Sequence, residues 1–238
     1  MADSTGRKRF DFVDGIITLS LLLVVLAACS KDVTSPTPVA TTVALVGGSA
    51  QTAVVGTSLA APVAVKVSDQ SGKPMAGVAV MFSPSPSAGS VSAAQVSTDS
   101  TGSAQVVWTL GTVAGTDSMT VTVGTLSPIA VVATATPDAP AALAIVAGND
   151  QSAPVDSTLS AALAVKVTDQ FGNPVPNVTV QWSDDAGGTL AATATVTDAN
   201  GIAQVKYTLG PTAGPEDVIA TVMNASAPMS ISFLEIGN

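Results

Sequence analysis

Apolar and polar residues alternate along most of the chain with a period of two. The clearest example is the segment 63–68, in which Val63, Val65 and Val67 alternate with smaller or polar residues. The same alternation recurs at 78–82, 104–110, 163–167, 178–182 and 203–209. A period of two puts the apolar side chains on one face of a strand, which is typical of antiparallel sheets with one buried face. We therefore expect short β-strands over most of the chain after residue 40.

The strand pattern occurs twice because the sequence repeats itself. The run AVKVSDQ at 64–70 returns 100 positions later, at 164–170, as AVKVTDQ. Beyond residue 182 the second copy is one residue shorter, and Asp99 then aligns with Asp198. An internal repeat of this length indicates two copies of one domain.

Turn residues lie between the alternating segments at matching places in the two copies. Asp69–Pro74 and Asp169–Pro174 each combine Asp, Gly and Pro. Asp accepts hydrogen bonds within its own turn, Gly adopts a positive φ, and Pro restricts the exit from the turn. The segments Asp99–Gly102 and Asp198–Gly201 predict two further reversals. Several short strands separated by such turns, in roughly 100 residues, are typical of an immunoglobulin-like β-sandwich.

These patterns predict an all-β protein with two tandem immunoglobulin-like antiparallel β-sandwiches. We place the first domain at 40–136 and the second at 137–238, and we align Pro128 with Pro228 near their ends. The junction between them, 136–140, is short and contains two prolines, so we expect it to restrict bending.

Residues 1–28 are predicted to be a signal peptide rather than part of the fold. Basic residues at 7–9 precede an apolar run, Ile16–Ala28. The run is shorter than the roughly 20 residues that a membrane-spanning helix needs, and it suits the apolar region of a signal peptide. It ends in LAAC at 26–29, which resembles the bacterial lipobox, whose cysteine is acylated and becomes the first residue of the mature chain.

Cys29 is therefore the predicted lipid attachment site, and it is the single cysteine of the chain. An ordinary secretory signal or a short anchor helix are the alternatives. Residues 29–39 are predicted to be the lipidated cysteine and a Pro-containing tether. Ser30 follows the cysteine. By the lipoprotein sorting pattern, the lack of an Asp at this position favours the outer membrane.

Composition excludes several classes of function. The chain has no His, which removes the commonest general base and metal ligand. One cysteine is too few for a disulfide or a Cys-based zinc site. The net charge is −9, from 8 basic and 17 acidic residues, which argues against nucleic-acid binding. We expect no enzyme, no cofactor and no nucleic-acid partner.

Acidic residues are the remaining candidates for chemistry. Ca²⁺ favours carboxylate oxygens, and turn carboxylates are present at Asp69, Asp99, Asp169 and Asp198. Each lies three residues before a glycine and none has D-x-D-x-D spacing, so we interpret them as turn caps and predict no metal site. The acid pairs at 184–185 and 216–217 would have to face one another across a cleft to act in glycoside hydrolysis. We interpret these pairs as solvated loop residues.

Four aromatic residues are in register with the apolar strand faces. These are Phe82, Trp108, Trp182 and Tyr207. Their position in the alternation favours core packing over a sugar-stacking platform.

The motifs combine into the pattern of a known module. The second copy has VTDQFGNP at 167–174, TDANGIAQV at 197–205 and LGPTAG at 209–214, and the first copy has VSDQSGKP, TDSTGSAQV and LGTVAG. This combination resembles the bacterial group 1 Ig-like domain of the invasin and intimin surface proteins, over about 40–136 and 137–236. The resemblance implies disulfide-free sandwiches stacked end to end, which serve surface display and adhesion.

The favoured function is therefore a lipid-anchored envelope protein with a structural, display or spacer role at the bacterial cell surface. Its expected partner is the membrane, through the acyl chains. The alternative is an adhesin or binding protein that recognises a glycan or protein through loops of the second domain. The sequence leaves the oligomeric state open.

Overall fold

Every regular element in residues 37–223 and 228–238, the part of the chain that the computed structural model describes, is a β-strand. Residues 39–238 form one compact unit. The strands of the first half are β1 (Ala40–Gly47), β2 (Gln51–Val54), β3 (Val63–Asp69), β4 (Ala79–Pro84), β5 (Ser90–Val91), β6 (Gln95–Ser97), β7 (Ser103–Val106), β8 (Trp108–Thr109), β9 (Gly115–Thr122) and β10 (Ile129–Thr136).

The second half repeats this order of strands. Its strands are β11 (Ala142–Ala147), β12 (Ser152–Ala153), β13 (Leu163–Thr168), β14 (Thr179–Asp184), β15 (Thr189–Leu190), β16 (Ala194–Val196), β17 (Ile202–Val205), β18 (Tyr207–Thr208), β19 (Gly214–Val222) and β20 (Met229–Gly237). The prediction of an all-β, immunoglobulin-like protein is confirmed.

Both halves have the same sheet topology. In the first, a sheet ordered β1-β3-β7 accompanies a sheet ordered β2-β10-β9-β4-β6 and a small β5-β8 ribbon. In the second, β11-β13-β17, β12-β20-β19-β14-β16 and β15-β18 correspond to them one for one. Most pairs are antiparallel, and the short strands β2 and β12 run parallel to β10 and β20. The equal topology follows from the equal spacing of apolar segments and turns in the two copies.

Each half encloses a separate hydrophobic core, made by the inward faces of the alternating strands. In β3 the inward Val63, Val65 and Val67 are all fully buried, whereas Lys66 between them is exposed. The core of the second half includes Trp182 and Phe233, whose ring centroids are 5.9 Å apart. Burial of the inward face is the main stabilising contribution in such a sandwich.

The four D-x-x-G segments at 69–72, 99–102, 169–172 and 198–201 form the same turn. In each, one carboxylate oxygen of the Asp accepts the backbone N–H groups two and four residues later, and the Gly N–H donates to the Asp carbonyl oxygen. The glycines adopt positive φ, as they do at Gly72 (76°) and Gly102 (76°). These turns reverse the chain between β3 and β4, β6 and β7, and their counterparts in the second half.

The two copies diverge in their last hairpin. Gly115 pairs with Ala135 in the first half, whereas its counterpart Gly214 pairs with Gly237. The strand register therefore matches Ala135 with Gly237, and the alignment of Pro128 with Pro228 is wrong. The paired part of the hairpin is longer in the second copy, with nine residue pairs between β19 and β20 against seven between β9 and β10. Cross-strand pairing rather than the proline sets the register.

Among the residues that the structure describes, no helix is long and apolar enough to span a bilayer.

Two glycines with equal φ make a test of this turn geometry. A Cβ at Gly102 would lie 2.6 Å from the Val67 carbonyl oxygen, whereas a Cβ at Gly72 would meet nothing within 4 Å. We expect Gly102→Ala to lower the free energy of unfolding by roughly 3 kcal/mol, through both the left-handed conformation and the backbone clash. The matched control Gly72→Ala should cost roughly 1 kcal/mol, from the conformation alone. Chemical denaturation measures both, and equal losses would contradict the clash.

Candidate functional site

The turn Asp169–Asn173, between β13 and β14, connects the two halves of the unit. Oδ1 of Asp169 accepts the N–H groups of Phe171 (2.9 Å) and Asn173 (2.8 Å), as in the other turns. Oδ2 has further donors, the N–H of Asp138 (3.0 Å) and the side-chain amide of Asn173 (2.9 Å). Asp138 belongs to the segment that connects the halves, so one buried carboxylate holds both the turn and the connecting segment.

The pKa of Asp169 reflects this arrangement. Burial by itself raises the pKa of the carboxyl group, but hydrogen bonds from the Asn173 side chain and from the backbone of Asp138, Asn173 and Phe171 outweigh burial. The net pKa is lowered from its ordinary value of 3.8. The carboxylate therefore stays ionised at neutral pH and acts as a strong acceptor.

Asn173 extends the contact into the first half. Its Nδ2 donates to the carbonyl oxygen of Thr112 (2.9 Å), and its Oδ1 accepts the N–H of Ala114 (2.9 Å). Thr112 and Ala114 lie in the loop between β8 and β9. One buried amide thus satisfies a donor and an acceptor of the opposite half, which fixes position and orientation together.

Two further contacts complete this region. The Gln170 amide donates to Oδ2 of Asp138 at 2.8 Å. The Phe171 ring lies beside Gly56, where an added Cβ would be 3.7 Å from its Cζ. We define the junction by its contacting residues, which are Gly56, Thr112, Ala114, Asp138, Asp169, Gln170, Phe171 and Asn173.

The equivalent turn of the first half keeps the Asp and the Gln but lacks the other two contacting side chains. Asp69 caps the turn with the same two hydrogen bonds, to the N–H groups of Ser71 (2.8 Å) and Lys73 (2.9 Å). However, Ser71 and Lys73 occupy the positions of Phe171 and Asn173. The backbone of the turn is therefore common to both copies, while the joining side chains belong to the second copy.

Asp99 and Asp198 cap exposed turns. A hydrogen bond from the Thr101 hydroxyl is the largest of the effects that lower the pKa of Asp99, and the Ile202 N–H has that role for Asp198. In all four turns one carboxylate oxygen accepts backbone N–H groups. Within 37–223 and 228–238 the structure contains no group of three or more His, Cys, Asp or Glu side chains that could hold a metal ion.

The four aromatic residues lie in the cores, as the alternation predicted. Phe82, Trp108, Trp182 and Tyr207 are each at most 3% exposed. The Trp108 indole N–H donates to the Ala88 carbonyl oxygen (2.7 Å), and the Trp182 indole N–H donates to the Thr195 hydroxyl (2.8 Å). None of these rings offers a face to a sugar.

The interpretation of the two acid pairs as solvated is wrong for one member of each. Glu216 is 2% exposed and Asp184 is half-buried, whereas Asp185 and Asp217 are exposed. The Tyr207 hydroxyl contacts both Asp184 Oδ1 and Glu216 Oε2, the latter at 2.5 Å. The phenol fills the space between the carboxyl groups, so they do not face one another across an open cleft. Burial, followed by the two carboxyl contacts, raises the pKa of Tyr207 far above its ordinary value.

The side chain of Glu216 lies on the inward face because the backbone of the loop before β19 needs a hydrogen-bond acceptor. Its oxygens accept the Gly210 N–H (2.9 Å and 3.1 Å). Asp117 of the first half does the same for Gly111 (3.0 Å). The period of two within β19, with Glu216, Val218 and Ala220 on one face, was the signal that could have identified this buried acid.

Glu235 is a buried acid that the sequence analysis missed. It is 0% exposed, its Oε2 accepts the Gln151 N–H (2.8 Å), and its Oε1 has no hydrogen-bond partner. Burial raises its pKa to about 7, helped by the charge of Asp150 and opposed by the Gln151 hydrogen bond. The alternation of Ile231, Phe233 and Glu235 in β20 was the available signal.

Cys29, the predicted lipid attachment site, lies outside the described residues, as do the signal peptide and most of the predicted tether.

Comparison with known families identifies the second half. Residues 145–234 match the family model for the bacterial Ig-like domain (group 1). Residues 145–234 are therefore similar to a bacterial Ig-like domain of this group, and the resemblance stated from the sequence motifs is confirmed for the second copy. A search of curated proteins finds no match.

The chain is similar to several solved structures, of which InvD shows the same fold. InvD of Yersinia pseudotuberculosis is similar with a TM-score of 0.56 and 18% identity, over 79% of this chain and 55% of that chain. FdeC, an Escherichia coli adhesin, is similar with a TM-score of 0.48 and 18% identity, over 84% of this chain and 66% of that one. Invasin, a bacterial integrin-binding protein, is similar with a TM-score of 0.39 and 22% identity, over 83% of this chain and 39% of that chain. The chain spans about half the length of the InvD structure.

The extra hydrogen bonds of Asp169 lead to a prediction. Asp169→Asn keeps a side-chain oxygen but loses the charge and one acceptor, so we expect the free energy of unfolding at neutral pH to fall by about 2 kcal/mol. Asp99→Asn, in an exposed turn without the two extra donors, is the matched control and should cost less. Because the folded-state pKa of Asp169 is lowered, its contribution is present above pH 3.8 and is lost as the pH falls through the folded-state value. Urea denaturation at pH 7 and at acidic pH measures both variants; an equal cost at pH 7 would contradict the role given to Oδ2.

Proposed function

We propose that the chain is a lipid-anchored protein of the bacterial cell envelope, with a structural, display or spacer role at the cell surface. The observation that carries the spacer role is the junction, in which the side chain of Asn173 joins the backbone of the first sandwich at Thr112 and Ala114. Asp169 binds the connecting segment through the Asp138 N–H. A spacer needs modules whose relative orientation is held by contacts rather than by the connecting segment alone.

The chemistry of the junction supports a joint that resists bending. Asp169 and Asn173 are both buried, and their hydrogen bonds run to the turn, to the connecting segment and to the opposite sandwich. A buried polar network with satisfied partners specifies one geometry, because any other would leave its groups unpaired. The prolines at 137 and 140 restrict the connecting segment as well.

Anchoring through Cys29 is the second part of the proposal. The cysteine ends an apolar run, and ten residues separate it from β1 at Ala40. Extended, a segment of that length reaches roughly 30 Å, enough to hold the first sandwich clear of the lipid head groups. Two or more acyl chains make membrane attachment stable, whereas one chain gives only reversible binding. The tether and the acyl chains together would attach the modules to the membrane.

A non-catalytic role agrees with the buried chemistry. Asp184 and Glu216 both contact the Tyr207 phenol, and Glu216 also binds the backbone of Gly210. These groups hold the fold together.

Adhesion is the second candidate function. It is favoured by the match of residues 145–234 to the bacterial Ig-like family, whose invasin and intimin members display such modules at the cell surface. Immobilised protein tested against glycan arrays and extracellular-matrix proteins would decide it. Saturable binding that is lost on replacing exposed loop residues of the second sandwich supports adhesion, and its absence leaves the spacer role.

The junction gives a direct test of the spacer role. Asn173→Lys places in the second turn the residue that the first turn carries at Lys73, so the turn itself should still form. The two hydrogen bonds to the first sandwich are lost at about 1 kcal/mol each, which should raise the population of open junctions roughly tenfold or more. Lys73→Asn, the reciprocal change at a turn without the junction contacts, is the control.

Distances between spin labels measure the effect. Labels at Ser100→Cys and Ala199→Cys, both exposed turn positions, report on the two sandwiches in a Cys29→Ser background. We expect a narrow distance distribution in the parent chain and in Lys73→Asn, and a broad one in Asn173→Lys. A broad distribution in the parent chain would contradict a stiff spacer.

Acylation has its own test. Expressed in a diderm bacterium, the parent chain should lose residues 1–28 and gain the mass of a diacylglyceryl group and further acyl chains, and it should fractionate with membranes. Cys29→Ser should abolish both changes, whereas Ser30→Ala should keep them. Intact-protein mass spectrometry and membrane fractionation measure the outcome. A parent chain that is recovered cleaved and without lipid would contradict the anchor.

A further inference from the structure

Four ionisable side chains are grouped in the second sandwich near the start of β19 and the end of β20. Glu216 and Glu235 are directly opposed across these strands, Tyr207 of β18 contacts Glu216, and Asp184 is the last residue of β14. We call this group the acid cluster. The strand registers place Asp117, Ala133, Trp108 and Pro84 at the same positions of the first sandwich. Three ionisable groups of the second sandwich thus replace groups that bind no proton in the first.

Tyr207 lies between two carboxyl groups of the acid cluster. Its hydroxyl lies at hydrogen-bond distance from Asp184 Oδ1 and from Glu216 Oε2. A phenol has one proton and donates it to one acceptor at a time. The hydroxyl therefore joins the end of β14 to the start of β19 through these two contacts.

Glu235 is the member of the acid cluster whose surroundings favour the protonated form. Its Oε1 is buried without a partner, and its neighbours across the strands and in the adjoining segments are acidic, namely Glu216 of β19 and Asp150 before β12. Asp156 follows β12. An ionised carboxylate in such surroundings lacks solvation and faces like charges, so the neutral form is favoured.

The cations of the second sandwich lie on the outer side of their strands. Lys166 alternates with the buried Val165 and Val167, and the exposed Lys206 alternates with the buried Val205 and Tyr207. Neither lysine belongs to the inward face that carries the acid cluster. Neither lysine therefore supplies a positive charge to the buried Glu235.

We propose that the acid cluster is a pH-dependent clasp, which holds the β19–β20 hairpin in place when Glu235 is protonated and loosens this hairpin when Glu235 loses its proton. The first sandwich, with Ala133, Trp108 and Pro84 at the equivalent positions, has no such clasp. A surface protein built in this way has one module whose stability follows the external pH and one whose stability does not.

The direction of the effect follows from the raised pKa of Glu235. In the folded state this pKa is about 7, against an ordinary value of 4.5, so the folded state binds the proton more tightly than the unfolded state does. The contribution of the protonated group is therefore full below pH 4.5, declines as the pH rises, and is lost above pH 7. The turn carboxylates have the opposite effect on stability. The pKa values of Asp99, Asp169 and Asp198 lie below 3.8, so these groups stabilise the fold when ionised and lose this contribution at low pH. Measurements between pH 5 and pH 8.5 separate the two effects.

Hydrogen exchange with mass spectrometry tests the clasp on the full chain in a non-ionic detergent. After correction for the intrinsic effect of pH on exchange, we expect protection of the β19–β20 peptides to fall roughly tenfold or more from pH 5 to pH 8.5. The peptides of β9–β10 are the internal control and should change less than about twofold. An equal change in both hairpins, or none in β19–β20, would overturn the proposal.

Variants separate the acid cluster from general charge effects. Glu235→Gln keeps the shape of the side chain without the titration, and we expect most of the pH response of β19–β20 to disappear. Asp217→Asn removes one negative charge from the exposed face of β19 and should leave the response intact. If Glu235→Gln fails to fold, Glu235→Ala replaces it, because the first sandwich has Ala133 at this position. A full pH response in the Glu235 variant, or its loss in Asp217→Asn, would overturn the assignment.

Discussion

The hydrogen bonds from backbone N–H groups to a turn carboxylate are the interaction on which the rest of the structure depends. The D-x-x-G turn occurs four times, and each time one Asp oxygen accepts two N–H groups. A chain reversal at the end of a buried strand leaves backbone donors that need acceptors away from water. At Asp169 the second oxygen of the same carboxylate extends this local role to the junction. A turn cap thus becomes part of an interface between modules.

The two sandwiches have the same backbone fold and differ in the side chains at their ends. The turn of the first sandwich presents Ser71 and Lys73, whereas that of the second presents Phe171 and Asn173 to the neighbouring module. At the opposite end of the second sandwich, Glu235 occupies the position of Ala133. Each of these changes leaves the strand order unaltered, because the topology depends on the alternation and the turns rather than on these side chains.

Much of the fold was predictable from the sequence, and the failures have physical causes. The alternation in β3 and β13 identified the strands, and the D-x-x-G motifs identified the turns. The last hairpin was misaligned because an alignment of prolines carries no information on cross-strand pairing, which matches Ala135 with Gly237. Glu216 was assigned to solvent because acids are usually exposed; its inward position follows from the need of the Gly210 N–H for an acceptor.

The sequence by itself determined the class of fold, the position of the turns and the repetition of the module, because these depend on local periodicity and local hydrogen bonding. Only the tertiary structure decided which side chains meet between distant strands. Asn173 contacts a loop of the other sandwich, and Glu235 opposes Glu216 in a register that the hairpin sets. Such contacts depend on the packing of whole sheets, and a local pattern does not contain that information. The junction and the acid cluster therefore came from the structure, while the motifs of the bacterial Ig-like domain were already legible in the chain.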